Sequence, residues 1–145
     1  MTRLTIESTA VQSYLSILQA IVSRMATNSA NCKTWCVTLV SAILVIIAEK
    51  GKADYIWITL IPVLLFFFLD AYYLSLERDF RSLYNRFIKN LHTGNISADE
   101  VFTISVDRSF THTTVVVGNS MLSLSIFPFY ALLLIMLVMA RFLVF

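Results

Sequence analysis

A chain of 145 residues with 58% hydrophobic and 14% charged side chains and a mean hydropathy of +0.77 is too apolar for a soluble domain and too short for a large transporter. Its formal charge of +2, with acidic and basic residues interspersed, excludes the concentrated basic footprint of a nucleic-acid binder. These properties predict an all-α integral membrane protein.

Residues 1–30 are expected to form a cytosolic amphipathic helix. Val11, Tyr14, Leu15, Leu18, Ile21, Val22 and Met25 fall on one helical face, opposite Gln12, Ser13, Ser16, Gln19, Ser23 and Arg24. That face is buried either on the membrane surface or on another helix. Surface-binding helices carry several Lys and Arg, and this stretch has Arg24 alone, which favours a helix partner. Asn28 and Ser29 offer caps for a first span over 31–50, in which the apolar run at 35–48 reaches spanning length if 31–33 lie at the interface and Lys33 snorkels outward. More than thirty polar or amphipathic residues precede that run, so it is expected to act as an uncleaved anchor.

The second span and its continuation, 55–92, read as one helix that crosses a bilayer and then projects into water. Its first half supplies about the 18–20 apolar residues needed for a hydrocarbon core of roughly 30 Å. Pro62 is expected to be accommodated as a kink. Its second half keeps an apolar seam at Leu69, Tyr73, Leu76, Phe80, Leu83, Phe87 and Leu91, a spacing of three and four that marks a packing face, read here as an oligomerisation seam. The seam on 76–91 is also the helix partner favoured for the N-terminal segment.

Gly94 is expected to cap that long helix. The segment 93–119 then fits two alternatives: a short helix started by the capping-box pattern Ser97-Ala98-Asp99-Glu100, or a hairpin of strands at 101–106 and 113–117. A third span covers 120–145, with Pro128 inside it and length to spare for tilt or for an interfacial first turn before the proline.

Arg3, Arg24, Lys33, Arg78, Arg81, Arg86, Lys89 and Arg108 would share one side of the bilayer, against Lys50, Lys52 and Arg141 on the other. The positive-inside rule therefore predicts an inner-membrane protein with a cytoplasmic N-terminus and an external C-terminus.

Little in the sequence points to reaction chemistry. Cys32 and Cys36 have a spacing a metal accepts, but no neighbouring His or second Cys pair completes a tetrahedral set, and a disulfide is not expected at the cytosolic boundary. His92 and His112 stand singly in solvated segments. With three glycines in the chain a nucleotide loop is excluded, and no Ser/His/Asp order or carboxylate pair can be argued. No cofactor, metal or enzymatic activity is expected.

The boundary charges carry more. Asp70, at the cytosolic edge of the second span, requires a partner or water; it either pairs with Lys33 at a similar depth or stands at the cytosolic mouth of an oligomeric conduit. Arg141 lies near the outer end of the third span, level with Glu49 and Asp54, where pairing or snorkelling is the default. Phe66, Phe67 and Phe68 form an interfacial belt or a hydrophobic gate, the belt being the commoner use.

The runs Arg24-Met25-Ala26-Thr27-Asn28-Ser29, Lys33-Thr34-Trp35, Leu69-Asp70-Ala71-Tyr72-Tyr73-Leu74-Ser75-Leu76-Glu77-Arg78 and Arg81-Ser82-Leu83-Tyr84 resemble a family of small bacterial multipass membrane proteins. Some of these are similar to predicted membrane effectors of anti-phage loci of the CRISPR, CBASS or retron type. The resemblance covers roughly residues 20–90, with 126–130 as a continuation, and brings no catalytic motif. It implies a protein that oligomerises and perturbs the inner membrane when infection is sensed. A three-span protomer cannot enclose a wide pathway alone, so a conduit would form between copies. The expected partners are the lipid bilayer, further copies of the chain, and a cytosolic protein or small signalling ligand. The alternative is a non-conducting anchor or adaptor that recruits a cytosolic partner through 74–119.

Overall fold

The computed structural model describes residues 8–51, 53–93, 102, 104 and 110–143. Among these the chain is all-helical, in the order α1 (Thr9–Lys50), a 3₁₀ segment (Ala53–Thr59), α2 (Leu60–Thr93), α3 (Phe110–Met121) and α4 (Phe127–Leu143). Two long helical stretches, Thr9–Lys50 and Asp54–Thr93, are long and apolar enough to cross a membrane.

The first expectation to be corrected is the boundary at 28–30. Asn28 and Ser29 do not cap a new helix, because α1 runs for 42 residues without a break. No glycine or proline interrupts it, and the Ser29 hydroxyl is used across to α2 rather than on the local backbone. Its end is conventional. Gly51 adopts a left-handed φ of 62° and its N–H donates to the Ala48 carbonyl, a conformation that favours a residue without Cβ.

The second long element starts differently from the expected single helix. Ala53–Thr59 is 3₁₀, and α2 begins only at Leu60, which places Pro62 in its first turn. The missing N–H of a proline is an orphan there in any case, so the kink expected at this residue is unnecessary. The last of the three expected spans also differs. The stretch 120–145 is divided by a turn after Met121, and its apolar helix is the 17-residue α4, with Pro128 at the second helical position. The Ser123 carbonyl accepts from the Ile126 and Phe127 amides and starts α4.

Between α2 and α4, the hairpin alternative for 113–117 gives way to α3, and no strand occurs among the described residues. Val117 and Met121 of α3 pack on the core that includes α4, a contact a helix makes without the pairing partner a strand requires. The expected cap at Gly94, the capping box at 97–100 and most of the strand at 101–106 lie outside the described residues.

Two cores result. The first joins α1 to the distal half of α2: Val11, Tyr14 and Leu18 pack against Phe80, Leu83, Phe87 and Leu91, with the Tyr14 and Phe87 rings edge-on at 4.7 Å. The Phe102 ring also meets Tyr14 edge-on, at 6.0 Å. Burial pushes the Tyr14 hydroxyl above its ordinary pKa, opposed by the Arg86 guanidinium. The face of the N-terminal segment is therefore covered by the seam helix, the partner that its poverty in basic residues favours. The second core joins Cys36 and Val40 of α1, Val63 and Ala71 of α2, and Ile126, Tyr130, Leu133 and Leu137 at α4.

Arg78 ties α2 to the turn before α4. Its Nη1 donates to the buried Ser120 hydroxyl at 3.3 Å and its Nη2 to Ser123 at 2.9 Å. Replacing Arg78 by alanine is expected to accelerate amide hydrogen exchange at 122–126 several-fold while leaving exchange within 130–140 unchanged, because the bonds hold the turn and not the helix.

Candidate functional site

The site builds from two residues on one face of α1 and one carboxylate on α2. Ser29 and Lys33 are four residues apart and therefore stacked, with Cys32 and Cys36 beside them on the same buried side. Across the helix pair Asp70 is wholly buried, at 0% exposure. The Ser29 hydroxyl donates to Asp70 Oδ1. The Lys33 ammonium lies 2.6 Å from Oδ2 and donates a longer bond, 3.4 Å, to Ser29 Oγ. Oδ2 has that ammonium as its ionic partner and, among the described residues, no further hydrogen bond. Lys33 itself is 21% exposed, so the pair reaches the surface from the lysine side.

A fourth member comes from α4. The Tyr130 hydroxyl is buried and interacts electrostatically with Asp70, but its contacts fall outside hydrogen-bond geometry. Its ring is fixed edge-on by Phe67 at 5.3 Å and by Phe129 at 5.0 Å. One carboxylate thus faces side chains from α1 and α4 at once. Such an arrangement holds three helices in register, and it is costly to disturb. Removing one partner of a buried pair leaves an uncompensated charge, a loss of about 3–5 kcal/mol.

The Lys33–Asp70 pair has a counterpart at the other end of the bundle, where Arg141 Nη2 meets Asp54 Oδ1 at 3.1 Å. From Lys33 to the end of α1 is about 25 Å of helix at 1.5 Å per residue. The path from Asp54 to Asp70, part 3₁₀ and part α, is about 26 Å. Between the two charged levels the outer surface is apolar, with Val45, Ile61, Leu65, Phe68, Ile135 and Met136 all more than half exposed.

The predicted site residues divide. Lys33, Asp70 and Arg141 are paired, the first two with each other. Phe80, Leu83, Phe87 and Leu91 of the seam are buried against α1 of the same chain, Tyr73 and Leu76 are half-buried, and Leu69 is 37% exposed. Phe66 and Phe67 pack on the second core, and the exposed Phe68 ring meets Phe67 edge-on at 5.8 Å. His92 is exposed, with Nδ1 2.8 Å from the Ile88 carbonyl. No three His, Cys, Asp or Glu side chains come together among the described residues. Sequence reasoning missed Ser29 and Tyr130 as members of the cluster. Ser29 stands one turn before Lys33, which was the available signal; Tyr130 had none.

The fold and site define a helical bundle whose two long helical stretches can each cross a membrane, fastened by a buried ion pair where its apolar belt meets a two-helix stalk. No family model, curated protein or solved structure matches the chain.

Proposed function

We propose that this chain is a multipass inner-membrane protein whose copies assemble into a membrane-perturbing or pore-forming effector of bacterial phage defence, with the stalk as its control element. The N-terminus and stalk lie in the cytoplasm, α4 is the third span, and the C-terminus lies outside. At 17 residues α4 is about 25 Å long, at the lower limit for crossing.

The observation that carries the reading is the position of the Asp70 cluster. Both α1 and α2 pass through it from stalk to belt, α1 without a break, so a change of packing in the stalk acts on the buried charge that fastens the belt. A ligand or partner that binds one stalk packing better than another would shift the bundle by its difference in affinity. For assembly within the bilayer, the groove between α1 and α4 is suited to a neighbouring helix: Ser41 and Ala140 lie among Val37, Leu44, Leu132 and Met136, and small side chains let helix backbones approach. The defence role rests on the resemblance alone.

The test is the mass of the protein in nanodiscs. The proposal expects a discrete oligomer; a monomer at all concentrations would sink it. One observation favours the anchor or adaptor instead. The distal seam is already covered by α1, which leaves the outer surface of the stalk, not the seam, for recruiting a cytosolic partner. A monomer that captures such a partner through 74–119 would establish that reading.

A further inference from the structure

We propose that the groove at the Arg141–Asp54 end seats an aminophospholipid, with one acyl chain in the groove, the phosphate on Arg141 and the primary ammonium on Asp54. The inference rests on the reading that the helices stand in a bilayer.

The groove lies between the 3₁₀ segment and α4 and has a volume of about 310 Å³. Its walls are Ile56, Trp57, Leu60, Leu134, Val138 and Phe142. Thr59 is the polar residue of the floor, and its hydroxyl is spent on the Ile56 carbonyl at 2.6 Å. The slot is therefore apolar throughout its depth, which suits a hydrocarbon chain and gives a polar ligand nothing to bind below the rim.

The rim is charged with both signs. A guanidinium has five N–H donors, and Arg141 uses one of its nitrogens within the described residues, on Asp54. The Asp54 side chain is 91% exposed, with acceptor sites to spare. A cation with unused donors thus stands beside an anion with unused acceptors, directly over an apolar slot. Trp57 and Tyr55, exposed at the same level, are the aromatic residues usual at headgroup depth. A phosphoethanolamine headgroup carries the matching pair, since its phosphate accepts from guanidinium and its ammonium donates to carboxylate. A choline headgroup has no N–H and offers Asp54 no hydrogen bond. An anionic glycerol headgroup offers Asp54 no cation.

The experiment presents the full-length protein, in nanodiscs of equimolar ethanolamine, choline and glycerol phospholipids, to native mass spectrometry after release from the disc. The wild type should retain the ethanolamine lipid about tenfold over either competitor, the scale of one charge-assisted hydrogen bond. Asp54→Asn should erase the preference over choline lipid while lipid is still retained. Arg141→Gln, and Val138→Trp, which fills the slot with the ion pair intact, should each abolish retention. Equal retention of the three lipids, an unchanged preference in Asp54→Asn, or a lipid-free wild type whose groove is covered by a second copy would each overturn the proposal. Failure of the bilayer reading is separately visible, because a chain not inserted in the bilayer would be released from membranes by alkaline carbonate. A chain that stays inserted yet shows no lipid preference sinks the lipid site alone.

Discussion

Replacing Lys33 by methionine is expected to destabilise the protein by about 3–5 kcal/mol, read as loss of cooperative unfolding stability in detergent or by steric trapping in bilayer mimics. The cost comes from what stays behind. Asp70 is at 0% exposure, and without the ammonium its charge stays buried with the Ser29 hydroxyl still donating to it. Methionine retains the apolar stem of the lysine, so lost packing contributes little. The double variant Lys33→Met with Asp70→Leu removes both charges and should recover most of the loss, since a buried pair replaced by apolar side chains of similar volume is often neutral. The Ser29 hydroxyl then turns to the carbonyl four residues back, as serines in helices do. Asp70→Asn alone should weaken packing by less, and exchanging the two residues should restore part of the stability. A double variant that is merely the sum of the singles would show that the 2.6 Å contact is not energetically coupled. In that case the water-facing alternative for Asp70 gains.

The second large effect is in the stalk. Phe87→Ala should cost about 3–5 kcal/mol, because the ring is 6% exposed and its removal leaves a void against Tyr14 that two helices cannot close. The triple variant Phe80→Ser, Leu83→Ser and Phe87→Ser should release the N-terminal part of α1 from α2. Hydrogen exchange is the appropriate readout: amides of residues 9–25 are expected to lose protection while those of 35–48 keep it, and the protein should remain in the membrane fraction. Ile17→Ser, at a position 42% exposed on the same helix, serves as the control, with an effect within about 0.5 kcal/mol. If residues 9–25 stay protected in the triple variant, the first core is not what holds the stalk together. The mass of the same variant decides whether the seam also bears on assembly between copies.

Where two periodic signals matched, the sequence was readable. Val11, Tyr14 and Leu18 repeat at spacings of three and four, as do Phe80, Leu83, Phe87 and Leu91, and the structure packs one set on the other. Lys33 and Asp70 were readable because opposite charges at one depth of an apolar chain have few other partners. The misses are places where a long-range contact overrode a local signal. Ser29 has the chemistry of a cap, but a buried carboxylate takes its hydroxyl and α1 continues through it. The 3₁₀ start of the second element is hidden in an apolar run, since the exposed Tyr55, Trp57 and Ile58 are themselves apolar and mask the period of three set by the buried Ile56 and Thr59; Pro62 was the remaining signal. The turn before α4 contains neither glycine nor proline. It is held by Ser120 and Ser123 accepting from Arg78, more than forty residues away, which local pattern cannot register.

Dye release from liposomes carrying the wild type, the Lys33→Met variant and the charge-free Lys33→Met, Asp70→Leu double variant tests the central claim most directly. If the stalk controls a membrane-perturbing bundle through the Asp70 cluster, the protein leaks when triggered or when Lys33 alone is removed, and the double variant returns to the quiet state. If all three proteins insert and remain equally tight, the chain does not permeabilise membranes through this cluster, and its function lies with what the stalk recruits.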